Sequence, residues 1–186
     1  CCPGMDYCAL ATARSIPISQ KISQSFSNYN EQKNIGGLKI KISGCINACG
    51  HHHVGNIGIL GLDKNGEESY QITLGGSATE NASIGEIVGP SFPESELMGA
   101  LNTILKTYKK YRISEDEDFL KVFNRIGISE FKKDLYDNVS DHVKPKRRFS
   151  FSDNVPSLIF KIYSLSWTIS RSLTEALLGL KITAFL

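Results

Sequence analysis

The sequence predicts an α+β domain, with a mixed or antiparallel sheet and flanking helices. Three short apolar segments lie between residues 38 and 74, and the first alternates apolar with basic side chains, which is the period of a half-buried strand. From residue 97 onward, apolar side chains recur every three or four positions, which is typical of amphipathic helices. Strands followed by helices indicate an α+β architecture. We place this domain at residues 1–139.

The strands are predicted at residues 38–42, 57–62 and 70–74, with a further short strand within 84–88. The last two of the three main strands should form a hairpin, because Asn65-Gly66 lies between them and this pair favours a tight two-residue turn. The first strand leads directly into Gly44 and Cys45. A functional turn is therefore expected at the end of a strand.

The helices are predicted on both sides of these strands. Residues 9–29 are rich in Ala, Ser and Ile and favour helix, with a break or a new start at Pro17 because proline is poorly tolerated inside a helix. After the strands, one helical face carries Leu97, Leu101, Ile104, Leu105 and Tyr108. Two shorter helices should follow. The first is preceded by the acidic residues 115–118 and ended by Gly127, and the second lies around Phe131 and Leu135.

Composition narrows the class of protein. The 186 residues carry a formal net charge of +2 and are 41% hydrophobic, which indicates a globular protein and no nucleic-acid partner. No stretch offers the roughly 18 consecutive apolar residues of a membrane-spanning helix, and no signal peptide opens the sequence. We expect a cytoplasmic protein with no membrane partner, and we interpret Cys1 as a cut into a longer chain.

Residues 140–186 form an unassigned tail. Residues 141–186 hold seven Lys or Arg against three Asp or Glu, with a small basic cluster at Lys144, Lys146, Arg147 and Arg148. A solvated linker before a disordered or loosely ordered extension is favoured over a nucleic-acid or membrane-surface role, since short basic runs are usually solvated. A sequencing frameshift is a further hypothesis for this tail.

Four of the five cysteines fall in two close pairs, Cys2 with Cys8 and Cys45 with Cys49. Without a secretion signal, such pairs favour metal or redox chemistry over disulfides. Thiolates suit both iron–sulfur clusters and zinc, and the longer first spacing favours a cluster. Zinc, with nitrogen ligands from residues 51–53, and unligated core cysteines remain alternatives. Gly44 and Gly50 are expected to let the backbone pass close to the cluster.

Four segments carry a resemblance to a known family: CCPGMDYC, KISGCINACGHHHVGNIGILG, GLDKNGEESYQITLGGS and IVGPSFP. Together they resemble the sirohaem-dependent nitrite/sulfite reductase haemoproteins, and more narrowly the bacterial assimilatory sulfite reductase type. The resemblance covers about residues 1–139 and corresponds to the C-terminal, cluster-binding part of those proteins. It implies the fold of their 4Fe–4S/sirohaem domain.

The resemblance also implies a reaction and its site. Cys2, Cys8, Cys45 and Cys49 match the cluster ligands, and Cys49 would also be the axial ligand of the sirohaem iron. Sulfite would be reduced to sulfide by six electrons, or alternatively nitrite to ammonia, with electrons from a flavoprotein reductase subunit or a ferredoxin. The residues that hold sirohaem and substrate lie mostly earlier in the family's chain, so no further catalytic residue is assigned and the isolated chain should be inactive.

Other residues beside these motifs have plainer interpretations. Cys1 is expected to be a small buried neighbour of the ligands, and residues 51–53 are expected to support the cluster by hydrogen bonds. Gly58, Gly61, Gly75 and Gly76 should permit close backbone approach, because no phosphate-binding glycine motif is present. A non-catalytic iron–sulfur electron carrier and a zinc-stabilised interaction module are functions of a different class.

Overall fold

The computed structural model describes residues 1–137, and the predictions for the tail at 140–186 lie outside this part of the chain. All described residues fall in one compact unit. In chain order the elements are α1 (Ile16–Ser25), α2 (Tyr29–Ile35), β1 (Ile40–Ser43), a 3₁₀ turn (His52–Val54), β2 (Ile57–Lys64), β3 (Glu67–Leu74), β4 (Glu86–Ile87), β5 (Phe92–Pro93), α3 (Glu94–Tyr111), α4 (Phe119–Ile126) and α5 (Ile128–Asp137).

The strands form one mixed sheet. β1 runs parallel to β2, with Ile40 opposite Ile57, and β2 runs antiparallel to β3, with Ile57 opposite Leu74. The two short strands β4 and β5 both pair antiparallel with β3. The predicted α+β class with a mixed sheet is therefore confirmed. The parallel β1–β2 pair requires a crossover, and this crossover contains the second cysteine pair.

The β2–β3 hairpin has the predicted turn. Asn65 and Gly66 both have positive φ angles, 58° and 86°, as a type I′ turn requires. Lys64 pairs with Glu67 across it. This connection was predictable because the two turn residues determine it locally.

The N-terminal helix is shorter than the sequence predicts. Pro17 lies in the first turn of α1, where a missing N–H costs nothing, so the expected new start is confirmed. The helical prediction for residues 9–15 is wrong, because Thr12 and Ala13 instead donate their N–H groups to the carbonyl of Gly44, at 2.9 and 3.0 Å. Helix α2 was not predicted as a separate element. It begins where the Asn28 side chain accepts from the N–H of Asn30.

The C-terminal helices follow the predicted pattern. α3 packs on β3 and β5, and α4 and α5 pack against α3. Asp118 caps α4 by accepting from the N–H of Lys121 at 2.9 Å, and Gly127 ends it with a φ of 73°. The predicted stripe of α3 is buried, each side chain 4% exposed or less: Leu97, Leu101, Ile104, Leu105 and Tyr108. No helix within residues 1–137 is long and apolar enough to span a bilayer.

Gly75, at the end of β3, provides a test of this packing. Its φ is +86°, and a Cβ there would overlap the ring of Phe123 in α4, closest to its Cε1 atom. Gly75→Ala should lower the free energy of unfolding by the left-handed penalty of about 1–2 kcal/mol plus an overpacking cost of about 1–3 kcal/mol. Urea denaturation followed by circular dichroism measures the sum.

Gly66→Ala is the matched control for this variant. Gly66 has the same φ of +86° but no heavy atom within 4 Å of the added Cβ. Gly66→Ala should lower the free energy of unfolding only by the left-handed backbone penalty, about 1–2 kcal/mol. Equal destabilisation by the two substitutions would contradict the contact between Gly75 and Phe123.

Candidate metal centre

The second cysteine pair lies on two consecutive tight turns directly after β1. The N–H of Ala48 donates to the carbonyl of Cys45 at 3.2 Å, and the N–H of His51 donates to the carbonyl of Ala48 at 2.7 Å. Ala48 and His51 have φ angles of 56° and 54°, an uncommon conformation for residues other than glycine. The N–H of Gly50 donates to the hydroxyl of Ser43 at 3.1 Å. The turn is thus held to the strand that precedes it.

The first cysteine pair lies on a loop that wraps around the same end of β1. The N–H of Cys2 donates to the carbonyl of Ile42 at 3.0 Å, and the N–H of Cys8 donates to the carbonyl of Gly4 at 2.9 Å. Beyond Cys8, the loop is bound to Gly44 through the backbone of residues 12 and 13 and through the Thr12 hydroxyl, 3.0 Å from the Gly44 carbonyl. The two cysteine-bearing segments therefore meet at Gly44.

Two glycines, Gly44 and Gly50, allow these chain segments to approach one another closely. A Cβ on Gly44 would lie 2.6 Å from the carbonyl oxygen of Ala13, and one on Gly50 would overlap the carbonyl of Ile42. The sequence predicted that both glycines let the backbone pass close to a cluster. In the structure they are required because the chain's own backbone passes within van der Waals contact.

The cysteines differ in their exposure to solvent. Cys2 and Cys45 are buried, with 9% and 7% of their surfaces exposed, Cys8 is half-buried, and Cys49 is exposed. Cys1 is also exposed, so its interpretation as a buried neighbour is wrong: the chain turns inward only at Cys2. None of the five forms a disulfide. All four predicted ligands are thus free thiols.

The sulfur of Cys2 has its own set of hydrogen-bond partners. The N–H of Gly44 donates to Cys2 Sγ at 3.1 Å, and Ser15 Oγ lies 3.5 Å from the same sulfur. Burial acts to raise the pKa of the Cys2 thiol, but hydrogen bonds from Ser15, Gly44 and Gly4 outweigh it and lower that pKa below its ordinary value. The thiolate, which is the ligand form, is therefore favoured at this position.

Ser15 is a residue of the site that sequence reasoning missed. A serine directly before Ile16-Pro17 indicates a helix cap, yet its side chain makes no capping hydrogen bond. Its hydroxyl instead donates to the carbonyl of Cys2 at 2.6 Å. No local pattern indicates this contact, because the two residues meet only when the loop closes.

The three histidines after Cys49 are placed differently from one another. His51 is exposed and His53 half-buried, whereas His52 is 8% exposed and its Nδ1 has no hydrogen-bond partner. Burial, then the neighbouring His53, lower the pKa of His52, so its ring is neutral near pH 7. The carbonyl of His53 accepts from the N–H of Gly85 at 2.8 Å. The 3₁₀ turn that contains His52 and His53 packs against β1 and β2.

The number and arrangement of the cysteine thiols bear on the choice between a zinc ion and a 4Fe–4S cluster. Within residues 1–137, no three His, Cys, Asp or Glu side chains converge closely enough to hold one metal ion. A structural zinc site needs four ligands around one point. In a 4Fe–4S cube each of four cysteines binds a different iron, so their sulfurs surround a larger body. Four free thiols on two adjoining loops match the number and kind of ligands that a 4Fe–4S cluster takes.

Large apolar side chains next to the cysteines are exposed. Tyr7 and Leu10 flank Cys8 and are 80% and 73% exposed, and Ile46, which follows Cys45, is 79% exposed. Single exposed apolar side chains are normal on protein surfaces, so these three are notable only because they neighbour the cysteines in the sequence.

Comparison with known proteins gives a family for the chain. Residues 1–143 match the sequence model of the nitrite and sulphite reductase 4Fe–4S domain. The match includes both cysteine pairs and every described helix and strand.

Curated relatives carry matching names. The sulfite reductase (NADPH) hemoprotein beta-component of Bacillus pumilus is 26% identical over 145 residues, covering 77% of this chain and 24% of that protein. The protein of the same name from Bacillus velezensis is 27% identical over 129 residues, with coverages of 68% and 22%. An assimilatory-type sulfite reductase of Nitratidesulfovibrio vulgaris is 23% identical, with coverages of 61% and 51%. The chain thus spans about a quarter of the length of the Bacillus relatives.

Solved structures share the fold. The NirA protein of Mycobacterium tuberculosis superposes with a TM-score of 0.58 at 24% identity, covering 70% of this chain and 25% of that one. Dissimilatory sulfite reductase I superposes with a TM-score of 0.61 at 11% identity, with coverages of 83% and 55%. With a family match over most of its length and the same α+β fold, this chain belongs to the nitrite and sulphite reductase 4Fe–4S domain family.

Proposed function

We propose that the full-length parent of this chain reduces sulfite to sulfide by six electrons, and that this chain carries its 4Fe–4S cluster and one side of its sirohaem site. The observation that carries the proposal is the meeting of two cysteine-bearing loops at Gly44, with four free thiols at the end of β1. The names of the Bacillus and Nitratidesulfovibrio relatives favour sulfite over nitrite.

Cys2, Cys8, Cys45 and Cys49 would hold the cluster, and Cys49 would also be the axial ligand of the sirohaem iron. The exposure of Cys49 supports this second role, because a bridging sulfur must be reachable from outside the protein segment that binds the cluster. When bound, the two groups would relay electrons from the donor and offer the iron at which the substrate is reduced.

The chain's own residues would position these groups and keep water away from them. The hydrogen-bonded turns around Ala48 and His51 set the backbone from which the Cys45 and Cys49 side chains would reach the cluster. Tyr7, Leu10 and Ile46 would be covered in the longer parent, together with the groups that lie beside them. Buried surroundings of this kind tune the potential of a metal centre.

The wider setting follows from the same proposal. The parent would be an assimilatory, cytoplasmic enzyme that accepts electrons from a flavoprotein reductase subunit or a ferredoxin and has no nucleic-acid or membrane partner. Reduction of nitrite to ammonia is the second candidate, because the family includes nitrite reductases. A non-catalytic electron carrier remains the alternative of a different class.

Cofactor content is the first test. The full-length parent, purified anaerobically, should contain about five iron, four from the cluster and one from sirohaem, and about four acid-labile sulfide, and extraction should release sirohaem. Sirohaem separates the enzyme from an electron carrier. Zinc in place of iron and sulfide would contradict the cluster itself.

Turnover distinguishes the two substrates. With reduced viologen as donor, the parent should show a higher kcat/KM for sulfite than for nitrite, since discrimination is a difference in transition-state binding. The isolated 186-residue chain should be inactive with both. Preference for nitrite would favour the second candidate, reduction of nitrite to ammonia. Activity of the isolated chain would contradict the expectation that the remainder of the parent is needed.

Replacement of the exposed thiol tests the bridging role. A hydroxyl is a poor substitute for a soft thiolate ligand, so Cys49→Ser in the full-length parent should lose the coupled centre. Because changes outside the ligand sphere already cost about 10–100-fold, turnover should fall by more than about 100-fold. Iron content, sirohaem absorption and viologen-driven turnover measure the effect.

Cys1→Ser is the matched control, since Cys1 is also exposed but lies outside the proposed ligand set. It should keep both cofactors and normal turnover. Loss of iron in Cys1→Ser, or normal turnover in Cys49→Ser, would require a different assignment of the ligands.

A further inference from the structure

We propose that Ser15 is a positioning residue that raises the reduction potential of the cluster by hydrogen bonding to the ligand sulfur of Cys2. The inference rests on the proposed function, because it takes Cys2 to be a cluster ligand. It adds a residue that lies outside both cysteine motifs and thirteen positions after Cys2 in the sequence.

The geometry places the Ser15 hydroxyl at two atoms of Cys2. Ser15 Oγ lies 2.6 Å from the carbonyl oxygen of Cys2 and 3.5 Å from its sulfur. The N–H of Gly44 approaches the same sulfur at 3.1 Å. The Gly44 N–H thus donates to Cys2 Sγ, and Ser15 Oγ contacts the same sulfur, where either the thiol or the hydroxyl can be the donor. Cys49 Sγ, in contrast, lies 3.9 Å from the carbonyl of Asn47, an acceptor that gives a thiolate no stabilisation.

The environment makes this contact strong. Ser15 is 0% exposed, so no water can replace its hydroxyl, and hydrogen bonds gain electrostatic strength in a low-dielectric interior. Gly4 leaves room for it, since its φ is +67° and a Cβ there would overlap Ser15 Oγ. The loop is thus built around a hydroxyl at this position.

The proton count gives the direction of the effect. A ligating Cys2 is a thiolate that accepts hydrogen bonds and donates none, so the single Ser15 proton is shared between the carbonyl and the sulfur. Reduction adds one electron to the cluster and makes its sulfurs more negative. A donor at Cys2 therefore stabilises the reduced form more than the oxidised form, which raises the reduction potential.

The experiment is a redox titration of Ser15→Ala in the full-length parent, followed by electron paramagnetic resonance of the reduced cluster. The midpoint potential should shift to more negative values while iron and sulfide content stay at the wild-type level. Ser91→Ala is the matched control: Ser91 is 7% exposed and its hydroxyl donates to Ser69 Oγ at 3.1 Å. It loses a comparable buried hydrogen bond away from the cysteines and should leave the potential unchanged.

A second variant covers the case in which Ser15→Ala loses the cluster by loosening the loop. Ser15→Cys keeps a side chain of similar shape with a weaker donor, and its potential should lie below that of the wild type. A wild-type potential in the variant that retains its cluster, or an equal shift in Ser91→Ala, would overturn the inference. Absence of iron and sulfide from the wild-type parent would overturn the proposed function instead.

Discussion

The carbonyl oxygen of Gly44 is the point on which the rest of the site depends. It accepts the N–H groups of Thr12 and Ala13 and the hydroxyl of Thr12, so it joins the N-terminal loop to the end of β1. Together with the bond from the N–H of Cys2 to the carbonyl of Ile42, these bonds join two loops whose cysteines lie 37 positions apart in sequence, Cys8 to Cys45, so the conformational entropy of ordering them is lost in one structure. Three donors on one carbonyl explain why this loop cannot be helical.

The close packing of backbone around this point is made possible by missing side chains. Gly44 and Gly50 admit the carbonyls of Ala13 and Ile42, and Gly58 admits the carbonyl of His52. A glycine without a side chain thus allows close backbone contact at the N-terminal loop, at the cysteine turn and at the 3₁₀ turn that follows. Under the proposed function this close packing would matter, because preorganised dipoles need no rearrangement when the charge of the cluster changes.

Much of this fold could be predicted because its signals are local. The Asn65-Gly66 turn and the buried stripe of α3 each follow from a few neighbouring residues. The errors lie where tertiary contacts override local preference. Residues 9–15 have the composition of a helix, but the N–H groups of Thr12 and Ala13 donate to the carbonyl of Gly44 instead of to a helical partner. The four cysteines could be singled out by spacing, whereas Ser15 could not, because only the closed loop brings its hydroxyl to Cys2.

Two of the four proposed ligands also differ in a way that bears on electron flow under the proposed function. Cys2 is buried among hydrogen-bond donors, whereas Cys49 is exposed at the end of its turn. Donors stabilise negative charge at the buried side, and the exposed sulfur is free to touch a second group. The asymmetry would let one end of the cluster set the potential while the other end makes the contact through which electrons leave. Both properties arise from the sequence around one strand end, where the N-terminal loop and the cysteine turn meet at Gly44.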